Sequence, residues 1–225
     1  MKISNNDLLR YSKQIVLKQV GILGQKKISS AKVLIVGMGG LGCPLALYLS
    51  SLGIKNIGIV DYDKVDFSNL NRQILFNATD IGKFKVVQAK KFIKKINKTI
   101  KINIYKEKII KKNIKNILNK YDIICDCSDN FTTRYLLNDF CLKNKKILIS
   151  AAISKFEAHI FNFNFYKNIP CYRCFMPEMP EEENKCDTEG ILPTVAGIAG
   201  TLQANEVVKS IIDKKNELVG KMIVF

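Results

Sequence analysis

The chain has 225 residues, 47% of them hydrophobic, with a formal net charge of +16 at pH 7. That length and apolar content exclude a disordered or fibrous chain and fit one large domain, or a domain with an excursion. Seven cysteines, an odd number, and no apolar stretch in the first ten residues exclude a secreted disulfide framework and predict reduced thiols in a cytoplasm.

In chain order, residues 6–20 read as an amphipathic helix, with Leu8, Leu9, Ile15 and Leu17 on its apolar side and RYSKQ at 10–14 in the middle. The stretch from 32 to 63 organises the rest. Val33, Leu34, Ile35 and Val36 form the continuous apolar run of a strand buried on both faces. Gly37, Gly39, Gly40 and Gly42 follow, where the strand turns sharply into a helix over 44–52 that carries Leu45, Leu49 and Leu52 at helical spacing. A second strand, 56–60, delivers Asp61 and Asp63 at its carboxyl end. Strand, glycine turn, helix, strand and acid make a nucleotide-binding βαβ unit. Its glycines let backbone N–H groups approach phosphates at a helix N-terminus, and its acid accepts ribose hydroxyls. No side chain from 33 to 54 is charged, a length that spans a bilayer, but mid-segment glycines and a change of hydrophobic period argue against a membrane span. The unit predicts a nucleotide without choosing ATP or NAD.

SNLNRQ at 68–73 is a polar loop. Residues 82–97 look helical, with Val86, Val87, Ala89, Phe92, Ile93 and Ile96 on one side; 100–105 alternates as a strand and 111–118 returns to helix. The densest positive region, 83–120, reads as amphipathic helices with solvated lysine faces and no interleaved aromatics, which argues against nucleic-acid binding. A buried strand at 121–126 ends in SDN at 128–130, a helix covers 131–142, and a strand covers 146–151. The repeated alternation implies a mainly parallel sheet with right-handed crossovers. Residues 156–165 alternate with no helix just before them, which suits antiparallel pairing. An irregular excursion, 166–192, holds Cys171, Cys174 and Cys186; 193–212 resumes as a helix, and 218–225 ends the chain as a strand. The expected architecture is α/β: a Rossmann-like, mainly parallel sheet extended by antiparallel strands, with an N-terminal helix and a cysteine-bearing crossover loop, all within one domain, 1–225.

Only four of the 36 basic residues are arginines, Arg10, Arg72, Arg134 and Arg173. Where lysine has replaced arginine so widely, those that remain are candidates for the planar fork lysine cannot supply. The single histidine, His159, lies on an alternating strand and reads as a filler, which disfavours a nicotinamide-dependent reaction. The strand-end groups suit a triphosphate instead: Asp129 to hold Mg²⁺, Arg72 and Lys85 to neutralise phosphate charge.

RYSKQ, GMGGLG, DYD, SNLNRQ, ILF…DIGKFK, CDCSDN, CYRC and CDTEGILPTVAGIAGTLQANEVVK occur in the order and spacing of the ThiF/MoeB/HesA family, relatives of the ubiquitin-activating enzymes. The resemblance covers nearly the whole chain. It implies an enzyme that uses ATP and Mg²⁺ to adenylate the C-terminal glycine of a small ubiquitin-fold sulfur carrier, after which sulfur displaces AMP. Carried over by position, Gly39 with Gly37, Gly40 and Gly42 lie against the nucleotide, and Asp61, with Asp63 beside it, takes the ribose. Asn69, Arg72 and Lys85 handle phosphates, Asp129 supports the metal, and Asn130 joins Asp129 among the nucleotide-binding residues. Arg10 reaches into a partner subunit's site, which implies a homodimer. Within the family the chain most resembles ThiF, which implies a ThiS-like carrier, thiamine biosynthesis, a sulfur donor such as a cysteine desulfurase, and a cytoplasmic location. Cys186 then matches the cysteine that bonds the carrier's acyl end through sulfur. A MoeB-type enzyme serving the molybdopterin carrier is the alternative, as is a truncated carrier-binding protein without turnover.

Two departures stand out. Cys171 and Cys174 supply one CxxC pair of a zinc tetrahedron, and no second pair follows before Phe225, so an incomplete zinc site and a missing terminal tail are expected. Asn71 stands where glutamine is usual. Cys43, Cys125, Cys127 and Cys141 fall on buried elements and are expected to be inert.

Overall fold

The computed structural model describes residues 3–180, 190–212 and 218–225. A sheet of seven strands in the order β3-β2-β1-β4-β5-β6-β7 forms its centre. The strands are β1 (Lys32–Val36), β2 (Asn56–Val60), β3 (Lys101–Tyr105), β4 (Ile123–Asp126), β5 (Ile147–Ser154), β6 (Glu157–Asn164) and β7 (Met222–Val224). The first five run parallel; β6 and β7 are antiparallel additions, as the unbroken alternation after residue 156 predicts.

Both faces of β1 are covered, which is why its sequence is apolar without a break. Val33 and Ile35 face a core built from α3 (Gly21–Ser30), α4 (Gly42–Leu52), α5 (Lys85–Ile96) and α9 (Pro193–Ile212). Leu34 and Val36 face a second core built from α6 (Ile114–Leu118), α7 (Phe131–Lys143) and Tyr172 of the short helix α8 (Tyr172–Phe175). Ile123 and Cys125 on β4 continue the first core and Ile124 the second. No helix among the described residues is long and apolar enough to cross a membrane.

The expected N-terminal helix over 6–20 is corrected. It is two short pieces, α1 (Asn5–Arg10) and α2 (Ser12–Ile15), separated at Tyr11. Leu9, Val16 and Leu17 are exposed, whereas Tyr11 points inward and is 2% exposed. Pulling that one side chain into the body breaks the helical run. Helix α3, by contrast, escapes the sequence pattern because its buried positions include Gly24, Gln25 and Ser29, which carry no hydrophobic period. The 166–192 excursion is irregular apart from α8 where it is described, and its return at Gly190–Leu192 pairs with the β5–β6 turn through Lys155.

Candidate functional site

Three loops converge at the carboxyl ends of β1, β2 and β4, where the strand order reverses and open α/β sheets place their ligands. The first is the glycine loop. Gly37 has φ +93°, and a Cβ there would stand 2.5 Å from the Cys127 carbonyl oxygen, so glycine lets the loops after β1 and β4 touch. At Gly39 a Cβ would meet nothing within 4 Å, which leaves the backbone open to an approaching ligand. Gly42 begins α4, whose N-terminal amides face the same loop. Gly40 lies beside Arg72, whose Cγ and Cδ would be 3.5 Å from a Cβ added there.

Asp61 ties the second loop to the first. Its Oδ2 accepts from the Met38 N–H at 2.7 Å and its Oδ1 from the Asp63 N–H at 2.8 Å. Burial pushes its carboxyl above the ordinary value, although Lys85 and the two N–H groups pull it down. Lys85 opens α5, is itself buried, and its Nζ donates to Asp63 Oδ2 at 2.9 Å. Arg72 Nη1 donates to the Ser68 carbonyl at 3.0 Å and to Asn71 Oδ1 at 3.1 Å. Asn69 accepts the Asp66 N–H within a capping box, so its side chain partly serves its own loop.

The third loop follows β4. Asn130 caps α7 by accepting the Thr133 N–H at 2.9 Å, while Asp129 is exposed and accepts only an Asn130 amide N–H among the bonds described. The Tyr62 hydroxyl is raised by burial first, then by the charges of Asp63, Asp129 and Asp61. The exposed Asp129 carboxylate fits a hard cation, which takes one or two carboxylates and completes its shell with phosphate and water oxygens. No group of three or more His, Cys, Asp or Glu residues is arranged to hold a metal among the described residues.

Beneath Asp129 lies a support that the sequence reading passed over. Asp126 is fully buried; its carboxylate accepts from the Ser128 N–H and hydroxyl and from the Ser150 hydroxyl, and Arg134 Nε lies 3.3 Å away. Arg134 Nη2 also donates to the carbonyls of Ser128 at 2.9 Å and Ala151 at 3.0 Å. From α9, Gln203 donates to the carbonyls of Asp126 and Ile149 and accepts from the Cys127 thiol. The signal was available: an acid ending a buried strand, with a surviving arginine eight residues on.

Arg10 is not brought to this crevice. Its Nη2 donates to the carbonyl of Ile96, the last residue of α5, whereas Lys85 is the first. At 1.5 Å rise per residue those ends are about 16 Å apart. His159 pairs across from Ala152 and Val224, with its ring edge-on to Phe161. Burial raises the thiols of Cys43, to about 12, and of Cys125, Cys127 and Cys141, in keeping with inert core cysteines. Cys171 and Cys174 have sulfurs 3.8 Å apart, about the edge length of a tetrahedron with Zn–S bonds near 2.3 Å. Burial raises the Cys171 thiol, but the Cys174 and Arg173 N–H groups, Asn138 and the Cys174 thiol outweigh it and bring it below the ordinary value. Cys186 lies outside the described residues.

Residues 11–225 match the model of the ThiF family. The chain belongs to that family. It is 41% identical over 226 residues to the adenylyltransferase and sulfurtransferase MOCS3 of Culex quinquefasciatus, a match covering 100% of this chain and 51% of the relative. It is 44% identical over 209 residues to MOCS3 of Xenopus laevis, covering 92% of this chain and 46% of that one. It thus spans about half the length of these ThiF-family relatives. Among solved structures, that of E. coli MccB with AMPCPP and MccA superposes with a TM-score of 0.83 at 26% identity, covering 99% of this chain and 68% of that one.

Proposed function

We propose that this chain uses ATP to adenylate the C-terminal glycine of a small ubiquitin-fold sulfur carrier, and that the carrier is of the molybdopterin-synthase type. The observation that carries this reading is the match along the entire chain, at 41% identity, to an adenylyltransferase and sulfurtransferase. The strand-end crevice supports it with a glycine cradle, two cations and an exposed carboxylate. MccB, solved with AMPCPP, supports the choice of an adenine nucleotide over NAD. The MOCS3 relatives favour this MoeB-type carrier over the ThiS-like carrier and thiamine pathway to which segments of the sequence lean.

In this reading backbone N–H groups at Gly39 and at the start of α4 take the phosphates. Asp61 spends two acceptor sites on Met38 and Asp63 and keeps others for ribose hydroxyls. A carboxylate oxygen of the carrier attacks the α-phosphorus; the bond from that phosphorus to the bridging oxygen breaks, and pyrophosphate leaves with the electron pair. Two anions approach each other in this step, so Arg72 and Lys85, with Asn69, lower its barrier by offsetting phosphate charge. Mg²⁺, when bound at Asp129, would add positive charge beside the leaving pyrophosphate. Sulfur from a separate donor, with a cysteine desulfurase as its source, then displaces AMP at the glycyl carbonyl, and Cys186 is the residue of this chain assigned to that later step.

The active form is a homodimer in which Arg10 of each chain completes the other's site. The distance of Arg10 from its own crevice supports that assignment. Cys171 and Cys174 offer two vertices of a structural zinc site.

Carrier-dependent ATP–pyrophosphate exchange tests the reading. Exchange with a molybdopterin-type carrier is expected to exceed that with a thiamine-type carrier by about tenfold or more, the scale of one or two lost contacts. The reverse preference would overturn the carrier assignment, and no exchange with either would overturn the activity.

A further inference from the structure

The segment that presents Arg10 is fastened to the body through polar groups and one buried ring. Asp7 pairs with Lys55 at 2.7 Å, and Gln14 Nε2 donates to the Leu52 carbonyl at 2.9 Å and to Gln25. Between them Tyr11 is buried, and its hydroxyl accepts from Asn97 Nδ2 at 3.0 Å. Asn97 is buried too, and its Oδ1 is held by the N–H and hydroxyl of Thr99, which fixes the amide with its N–H₂ toward Tyr11. The tyrosine ring occupies a socket that only glycine leaves open: Gly53, at φ +95°, would place a Cβ 2.6 Å from Tyr11 Cζ and 2.9 Å from its hydroxyl oxygen.

We propose that Tyr11 is a positioning residue for Arg10: the Gly53 socket and the Asn97 amide fix the depth and direction of the segment, and with it the place from which the neighbouring guanidinium, which donates to the Ile96 carbonyl of its own chain, is offered to the other subunit's nucleotide. The inference rests on the reading that Arg10 acts in trans. A phenylalanine would fill the socket as well; the hydroxyl adds a fixed anchor at the ring's far end. A bond of this kind is directional and holds one geometry where packing alone tolerates several. The exposed Leu9 and Val16 on the same segment leave packing little hold of its own. Gly53 ends α4 and Asn97 follows α5, so the anchor joins the far ends of two helices whose N-termini, Gly42 and Lys85, lie at the crevice. Each chain thereby aligns its outgoing arginine to the same helices that carry its own site.

Mixed dimers separate this role from a merely structural one. A dimer of one Arg10→Ala chain and one Asp61→Ala chain has a single intact site: the pocket of the first chain with the arginine of the second. Its ATP–pyrophosphate exchange, measured with the carrier after subunit exchange is verified, is the reference. Tyr11→Phe added to the Asp61→Ala chain, which donates the arginine, is expected to raise half-saturating ATP about fivefold or more, the scale of one net hydrogen bond. Added instead to the Arg10→Ala chain, which donates the pocket, the same change is expected to move it less than twofold. Gly53→Ala, which fills the socket, is expected to repeat that asymmetry. Equal effects in both placements, an effect confined to the pocket chain, or no effect in either would overturn the positioning role and leave the trans reading standing. A reference dimer with no activity would overturn the trans reading and this inference with it.

Discussion

Gly37 and Gly39 are two residues apart and answer to different demands. At Gly37 the left-handed backbone and the Cys127 carbonyl both exclude a side chain. Gly37→Ala is expected to cost about 3 kcal/mol in urea unfolding, from strain and a displaced loop. At Gly39 the protein itself leaves room for a methyl group. Gly39→Ala is therefore expected to unfold at the parental midpoint yet lose about 100-fold or more in carrier-dependent exchange, because the methyl group stands where phosphate approaches. A parental exchange rate in Gly39→Ala would remove the phosphate from that loop. The cysteines divide as clearly. With thiolate as the reacting species, native protein treated with a chelator and a thiol reagent at pH 8 is expected to react at Cys171 and Cys174, one of lowered pKa and the other exposed. Cys43, Cys125, Cys127 and Cys141 are expected to react only on unfolding, as peptide mapping would read.

At the scale of elements, the strands were legible because burial on two faces leaves an uninterrupted apolar run, as in β1 and β4, and an alternation of apolar and polar residues marks β6, although Asn162 and Asn164 are buried there too. Helix α9 covers the expected 193–212 span. The N-terminal helix misled because its apolar positions are not its buried ones: Leu9 and Leu17 are exposed, and the side chain that turns inward is Tyr11. The glycine loop, Asp61 and Lys85 could be found from spacing alone. The support under Asp129 was signalled only in part, by an acid ending a buried strand and a surviving arginine eight residues on; their pairing is declared only once β4, β5 and α7 are packed. That pairing makes a prediction for the elements it joins. Arg134→Met leaves Asp126 charged and buried and is expected to destabilise the protein by about 3–5 kcal/mol, read from urea unfolding, the scale found when one partner of a buried pair is removed. A loss under about 1 kcal/mol would mean that Ser128 and Ser150 satisfy Asp126 alone.

For the whole molecule, a net charge of +16 carried largely by lysine gives a field that attracts polyanions without selecting one. Selection comes from the crevice, where Lys85 is buried against Asp63 and Arg72 is held beside Gly40. The fold itself does not choose a reaction, since one sheet serves many chemistries; the proposed reaction, activation of a carboxylate by a nucleotide, rests on the ThiF-family match and the strand-end residues together. The most direct measurement is the intact mass of a molybdopterin-type carrier after incubation with ATP, Mg²⁺ and this chain. The account predicts that the carrier gains one AMP at its C-terminal glycine, that hydroxylamine converts the adduct to a hydroxamate, and that Arg72→Ala forms none. A carrier left at its original mass while parental protein binds ATP, or an adduct that persists in Arg72→Ala, would contradict it.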